Sequence, residues 1–228
     1  YIMLNILNYK AILFGSIGTI VETSELQRRA FNQAFSEAGL KWKWTSVEYQ
    51  KMLRNSGGLN RIVDFANQLG VNVDAIRLHN RKTEIFNNMM NEKNISLRPG
   101  VANLIGYAVN HDINLAFVTS TSEANIDAMF FALNNQIERS NFSFIGNDKI
   151  VSKSKPNSEI YLKALFELKL NAEDCIAIED TEVSMRSAID ANISCIGFPG
   201  AYALQNDFSN AILVTDNLSK IGLTDFKK

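Results

Sequence analysis

Four short polar clusters in the chain could together do phosphate chemistry. Gly15-Ser16-Ile17-Gly18-Thr19, Thr119-Ser120-Thr121-Ser122, Ser152-Lys153-Ser154-Lys155-Pro156 and Glu179-Asp180-Thr181 each come after an apolar run. Hydroxyls and backbone amides at loop and helix starts cradle phosphate oxygens, and a lysine adds positive charge. The adjacent carboxylates Glu179 and Asp180 are the hard oxygen ligands that Mg²⁺ prefers. Taken singly, each feature also suits a plainer role. A lysine before proline suits a turn, and a Ser/Thr run or an acidic pair at a helix start suits a cap that favours the helix dipole. Their order after successive apolar runs is what joins them into one candidate site.

The elements that must position these clusters are legible from hydrophobic periodicity. Apolar runs at Lys10 to Phe14, Asn114 to Thr119, Ser143 to Ile145, Cys175 to Glu179 and Ser194 to Phe198, with a weaker one at Ala211 to Val214, are nearly continuous. Such runs predict strands covered on both faces in a parallel sheet. Apolar spacings of three and four predict helices at Val101 to Asn110, Ser122 to Asn134, Ser158 to Leu168 and Val183 to Ala191. The alternation predicts an α/β fold with a doubly wound parallel sheet, in which ligands bind at the carboxyl ends of the strands near the point where strand order reverses.

One stretch interrupts the alternation. Between about Ser24 and Asn91 the spacing predicts helices at Glu25 to Ala38, Ser46 to Arg54, Leu59 to Leu69 and Val73 to Asn91, with turns at Gly39, Ser56-Gly57-Gly58 and Gly70. The expected organisation is a core of residues 1–20 and 94–228 with a small helical domain, residues 21–93, inserted after the first strand. Leu97-Arg98-Pro99-Gly100 marks the return to the core.

Composition narrows the function classes. The 228 residues are 46% hydrophobic, enough for a sizeable core, and 23 Lys plus Arg against 24 Asp plus Glu give a formal charge of -1. A chain without positive surplus is not expected to bind nucleic acid or an anionic membrane. No apolar run approaches the length that spans a bilayer, and nothing reads as a secretion signal. Cys175 and Cys195 both lie in strand-type runs, as reduced, buried thiols do. The expected location is the cytoplasm or an organelle stroma, and the expected state is a monomer or weak dimer.

The same motifs carry a family resemblance. Thr119 after the second strand, Lys155-Pro156 before a helix, Glu179-Asp180-Thr181, and Gly18-Thr19 after the first strand resemble the haloacid dehalogenase superfamily of phosphatases and phosphomutases. The helical insertion resembles that family's small cap. Gly57-Gly58-Leu59-Asn60-Arg61-Ile62, Asn80-Arg81-Lys82-Thr83, Arg98-Pro99-Gly100-Val101 and Thr119-Ser120-Thr121-Ser122 look like its CbbY-type branch, which dephosphorylates sugar phosphates such as xylulose 1,5-bisphosphate. The resemblance implies an aspartate nucleophile at position 15, an acid-base aspartate at position 17 and a Mg²⁺ ion.

The chain departs from that pattern where the chemistry is concentrated. Gly15 offers no attacking atom, and Ile17 cannot exchange a proton. Gln27 stands where the branch carries His, Leu59-Asn60 where it carries Lys-Glu, and Ser184 at a helix glycine. If extended backbone continues past Phe14, the Ser16 side chain points away from the side shared by Gly15 and Ile17. Lys155 is then expected to pair with Glu179 or Asp180, and Mg²⁺ binding to be possible but weakened. Thr119, Ser120 and Lys155 remain as phosphate-binding candidates, Glu179 and Asp180 as metal candidates, and Gly57, Gly58, Arg61 and Lys82 as candidate cap contacts to the substrate.

The expectation is therefore a relative of the family that binds a phosphorylated small molecule without forming an aspartyl phosphate, with no catalytic residue intact. The alternative is an active Mg²⁺-dependent sugar-phosphate phosphatase that activates water directly, with Glu179 or Asp180 as base.

Overall fold

The computed structural model describes residues 5–54, 57–92, 95–133 and 136–221. Six strands form one parallel sheet: β1 Ala11–Phe14, β2 Asn114–Phe117, β3 Phe144–Ile145, β4 Cys175–Glu179, β5 Ser194–Gly197 and β6 Leu213–Val214, in the order β3-β2-β1-β4-β5-β6. The winding reverses beside β1, so the carboxyl ends of β1 and β4 flank the switch point.

The strand sequences explain this burial. Alternate residues face opposite sides of the sheet, and both sides are apolar. Ile12, Phe14, Ile176 and Ile178 join one core cluster, while Ala11, Leu13, Cys175 and Ala177 join a second on the other face. Helices α6 Val101–Asn110, α7 Glu123–Leu133, α8 Glu159–Leu168 and α9 Glu182–Ile189 occur within the stretches predicted from periodicity, or within a residue of them. The predicted helix end at Asn134, the turn residue Ser56 and the expected boundary between residues 93 and 94 lie outside the described residues. Both cysteines are buried and free.

One element was not expected. The chain does not continue extended past β1 but turns into a short helix, α1 Ile17–Ile20, with Ser16 at its N-cap position. The apolar residues Ile17 and Ile20 are drawn into the core by this turn, and both belong to the cluster under β1.

Between β1 and β2 lie α2 Ser24–Glu37, α3 Ser46–Met52, α4 Gly58–Leu69 and α5 Ala75–Glu92. They enclose an aromatic cluster in which Trp44 lies 4.8 Å from both Phe31 and Phe35, ring centre to ring centre. Two crossings join this helical part to the sheet, and they pair as the antiparallel bridge Val21 to Leu97. Arg98 fixes the junction. Its guanidinium donates to the carbonyls of Gly18 at 2.7 Å, Phe198 at 2.9 Å and Pro199 at 2.6 Å, and lies 3.5 Å from the centre of the Phe198 ring. The loop after β5 adds a second fastening, for Ala201 N–H donates to Glu22 at 2.7 Å and the Tyr202 hydroxyl donates to Glu25.

The helical part buries a basic group. Lys82 is 5% exposed, donates to the Gln27 side chain, and sits over the rings of Phe31 and Phe86 at 4.7 and 5.2 Å. Burial first, and the nearby Arg61 charge second, lower its pKa from an ordinary 10.5 to about 7. Burial, with Lys82 and Arg61, likewise lowers that of His79 from 6.5 to about 4. In both cases the folded state releases the proton at a lower pH than the unfolded chain, so stability climbs with pH across each window. Urea denaturation at pH 6, 7.5 and 9 should show stability rising above pH 7, by at most about 1.4 kcal/mol per pH unit from this one group. The Lys82→Met variant should lose that rise.

Candidate functional site

Sheet register builds the centre of the site. Phe14 pairs with Ile178, and the next amide, Gly15 N–H, donates to the Ile178 carbonyl at 3.0 Å. Gly15 therefore stands beside Glu179, and both have the parity of Leu13 and Ala177, so Glu179 projects to the face covered by α8 and α9. Lys155, from the loop before α8, reaches the same point. Its ammonium donates to Glu179 Oε1 at 2.6 Å and to the Gly15 carbonyl at 2.5 Å. Tyr161 of α8 donates its hydroxyl to Oε1 at 2.5 Å, and its ring lies 4.8 Å from the Lys155 ammonium.

This group is closed to water. The Lys155 side chain is 6% exposed and that of Glu179 is fully buried, and Glu179 Oε2 is buried without a hydrogen-bond partner. Burial raises the pKa of the Glu179 carboxyl, opposed by the Lys155 charge. A buried ion pair of this kind gains little net stability over an apolar replacement, but removing one partner leaves a costly lone charge.

Asp180 belongs to a second group. Its Oδ1 accepts a hydrogen bond from the Ser16 hydroxyl at 2.8 Å. Burial raises its pKa, opposed by the Ser16 bond and by the charges of Arg98 and Lys155. Ser16 is itself extended, with φ -155 and ψ 166, so its side chain leaves the side of Gly15 as alternation predicts and meets Asp180, whereas the turn into α1 carries Ile17 to the core cluster of Phe14, correcting the expectation that Ile17 shares a side with Gly15. Thr181 caps α9 by accepting the Ser184 amide at 3.2 Å, which holds the acidic pair at the strand end. Ile17 is 7% exposed and packs in the apolar core.

Thr119 is buried just past the carboxyl end of β2, its hydroxyl accepting the Thr121 amide at 3.2 Å, while Ser120 is half-buried. A cleft of about 790 Å³ opens at Lys155, lined by Ser154 and Pro156, by Glu182 and Arg186 of α9, and by Arg54 and Asn60 of the helical part. That volume suits a small molecule. Arg61 and Lys82 are engaged within the helical part, where Arg61 donates to the Met52 carbonyl at 3.3 Å and lies over Tyr49, and Lys82 is bonded to Gln27. Gly57 precedes α4 with φ 94, a conformation natural to glycine, and Gly58 begins the helix.

The donors present do not fit a magnesium centre. Among the described residues no group of three or more His, Cys, Asp and Glu side chains could hold a metal ion. Glu179 Oε1 is committed to Lys155 and Tyr161, Oε2 is sealed, and Asp180 is engaged by Ser16. Sequence reasoning missed Tyr161 and Arg98 as members of the site. A tyrosine one residue from Ile160 and three from Ala164 on the buried side of α8 was the available sign that its hydroxyl needs an interior partner.

The described helices include none long and apolar enough to cross a membrane. The family described as haloacid dehalogenase-like hydrolase matches residues 12–198. Protein CbbY of Cereibacter sphaeroides is 38% identical over 216 residues, covering 93% of this chain and 94% of its own. Protein CbbY of Rhodobacter capsulatus is 34% identical over 205 residues, covering 89% and 90%. Among solved structures, CbbY from Rhodobacter sphaeroides in complex with phosphate superposes with a TM-score of 0.87 at 36% identity, covering 94% of this chain and 96% of that one. A mutant of the same protein, solved in complex with xylulose-(1,5)bisphosphate, superposes equally well. The matched span, the identity and the shared six-stranded architecture agree, and the chain belongs to the haloacid dehalogenase-like hydrolases as a CbbY-like member.

Proposed function

We propose that this protein binds a phosphorylated small molecule of the sugar-phosphate class and does not form an aspartyl phosphate. The observation that carries this reading is the absence of any carboxylate on β1's carboxyl end. Gly15 has no side chain, and Ile17, at the position where the family resemblance implies the acid-base aspartate, is packed in the core. Without an attacking atom there is no covalent step, and without a proton donor the leaving alcohol gains no acid catalysis, a contribution of about 10²–10⁴-fold.

Binding is a separate matter from turnover. Lys155, Thr119 and Ser120 are the groups offered to a phosphoryl oxygen, the lysine by charge and the hydroxyls by hydrogen bonding. Residues 21–93 act as a cap over a core of residues 1–20 and 94–228, with the Gly57-Gly58 turn, Arg61 and Lys82 on the cap side. Mg²⁺ binding is weakened, because Glu179 is committed to Lys155 and Tyr161, Asp180 is committed to Ser16, and Gly15 adds no carboxylate. The protein works as a monomer or weak dimer in the cytoplasm or a stroma, with a small-molecule ligand and no nucleic acid.

Titration calorimetry with xylulose 1,5-bisphosphate and related sugar phosphates should show binding by the unaltered chain, weakened roughly 10- to 100-fold in Lys155→Ala, the cost of one charged hydrogen bond. No binding to any sugar phosphate would end this reading. Phosphate release from the same panel, with and without Mg²⁺, should stay at blank level. Mg²⁺-dependent release that disappears in Glu179→Ala/Asp180→Ala would instead establish a phosphatase that activates water directly.

A further inference from the structure

We propose that Tyr202 is a positioning residue for the cleft at Lys155: carried on the loop after β5, it latches the helical part to the sheet and holds the two walls of the cleft together without touching the ligand. Its effect on affinity rests on the proposed sugar-phosphate binding, whereas the latch itself is read without a ligand.

The loop after β5 is a strut built on the acidic strand end. Phe198 N–H donates to the Glu179 carbonyl at 2.7 Å, and Gly200 N–H donates to the Asp180 carbonyl at 3.1 Å. Two successive turns follow, Ala203 N–H to the Gly200 carbonyl and Asn206 N–H to the Ala203 carbonyl, both at 2.9 Å. The far end is tied to α9, where Glu182 N–H donates to the Asn206 side chain and Asp207 N–H to the Glu182 carboxylate, both at 3.2 Å. A loop hydrogen-bonded at both ends and within itself holds its shape with the core.

Tyr202 lies between these anchors and reaches the helical part. Its ring packs against the aromatic cluster there, 6.1 Å from Tyr49 at 70°, and among the described residues every other member of that cluster lies between Phe31 and Leu78. Its hydroxyl donates to Glu25, which also accepts from Arg28 at 2.9 Å, and Arg28 donates onward to the Trp44 carbonyl at 2.8 Å. The Arg28 bond, opposed by burial and aided by the Tyr202 bond, lowers the pKa of Glu25 from 4.5 to about 2. The acceptor is therefore charged at neutral pH, and the latch is of the stronger, charge-assisted kind.

The strut also reaches the ligand cleft. Gln205, Asn206 and Asp207 line it from the core, and Arg54 and Asn60 line it from the helical part. The two crossings paired at Val21 and Leu97 are the short segments about which the helical part can turn. Such a rotation must draw Tyr49 and Glu25 away from Tyr202. A chain already held closed spares its ligand the population cost of closing.

Spin labels at Ile76→Cys on α5 and Phe166→Cys on α8, both exposed while the native cysteines are buried, read the separation of the two parts without ligand. The labelled chain with no further change should give one distance. Tyr202→Phe, which keeps the ring and loses the donor, and Glu25→Gln should each add a longer distance, and the double variant should open no further than Glu25→Gln alone. A single unchanged distance in Tyr202→Phe, or openings that add in the double variant, would overturn the latch. Should Glu25→Gln not fold, Tyr202→Phe decides alone by the same criterion. Affinity for xylulose 1,5-bisphosphate should fall in Tyr202→Phe by the factor by which the closed fraction falls, about 2- to 10-fold. Lost affinity or lowered Tm with the single distance kept would make Tyr202 a structural residue only, and opening with affinity unchanged would equally overturn its positioning role. Absence of sugar-phosphate binding by the unaltered chain would end the proposed function and leave the latch to stand or fall on the distances.

Discussion

The buried contact between Lys155 and Glu179 governs the architecture around it. Two opposite charges lie almost entirely out of water at the end of β1 and β4, 2.6 Å apart. Desolvation at such a place is expensive, and it is offset only when geometry and additional hydrogen bonds are good. The Gly15 carbonyl and the Tyr161 hydroxyl supply those bonds, so a loop, two strands and α8 are tied to one carboxylate oxygen. Each of these elements must be in register for the pair to be tolerated.

The parallel pairing of β1 with β4 is what makes the contact available. In a parallel ladder, residues in register share a face, so the first position beyond Phe14 and the position after Ile178 face the same way. Continuous apolar strands bury both faces, and the polar groups Ser16, Glu179 and Asp180 lie at the carboxyl ends of β1 and β4, beside the switch point.

The helical part is held to that cleft by backbone acceptors. Arg98 places a fixed fork of donors among the carbonyls of Gly18, Phe198 and Pro199, which gather the ends of two crossings and the loop after β5. Tyr202, carried by that loop, reaches Glu25 and packs near Tyr49 in the aromatic cluster of the helical part. Arg54 and Asn60 of the helical part and Lys155 of the core line one cleft.

The sequence by itself determined the strand and helix alternation, the helical insertion and the clustering of Lys155, Glu179 and Asp180 after successive strands, because burial periodicity and turn residues are local properties. It also showed that Gly15 and Ile17 carry no reactive group and that Lys155 needs an acidic partner. Only the tertiary structure decided which carboxylate that is. Glu179 and Asp180 are adjacent in sequence, yet alternation sends one to Lys155 and Tyr161 and leaves the other to Ser16. Ile17 left the side of Gly15 because a single turn of helix begins there, with Ile17 and Ile20 buried in the core cluster of Phe14, where period-two reasoning assumed extended backbone. Tyr161, Arg98 and the engagement of Arg61 and Lys82 within the helical part were likewise hidden, since each depends on contacts between segments far apart in the chain that no local pattern encodes.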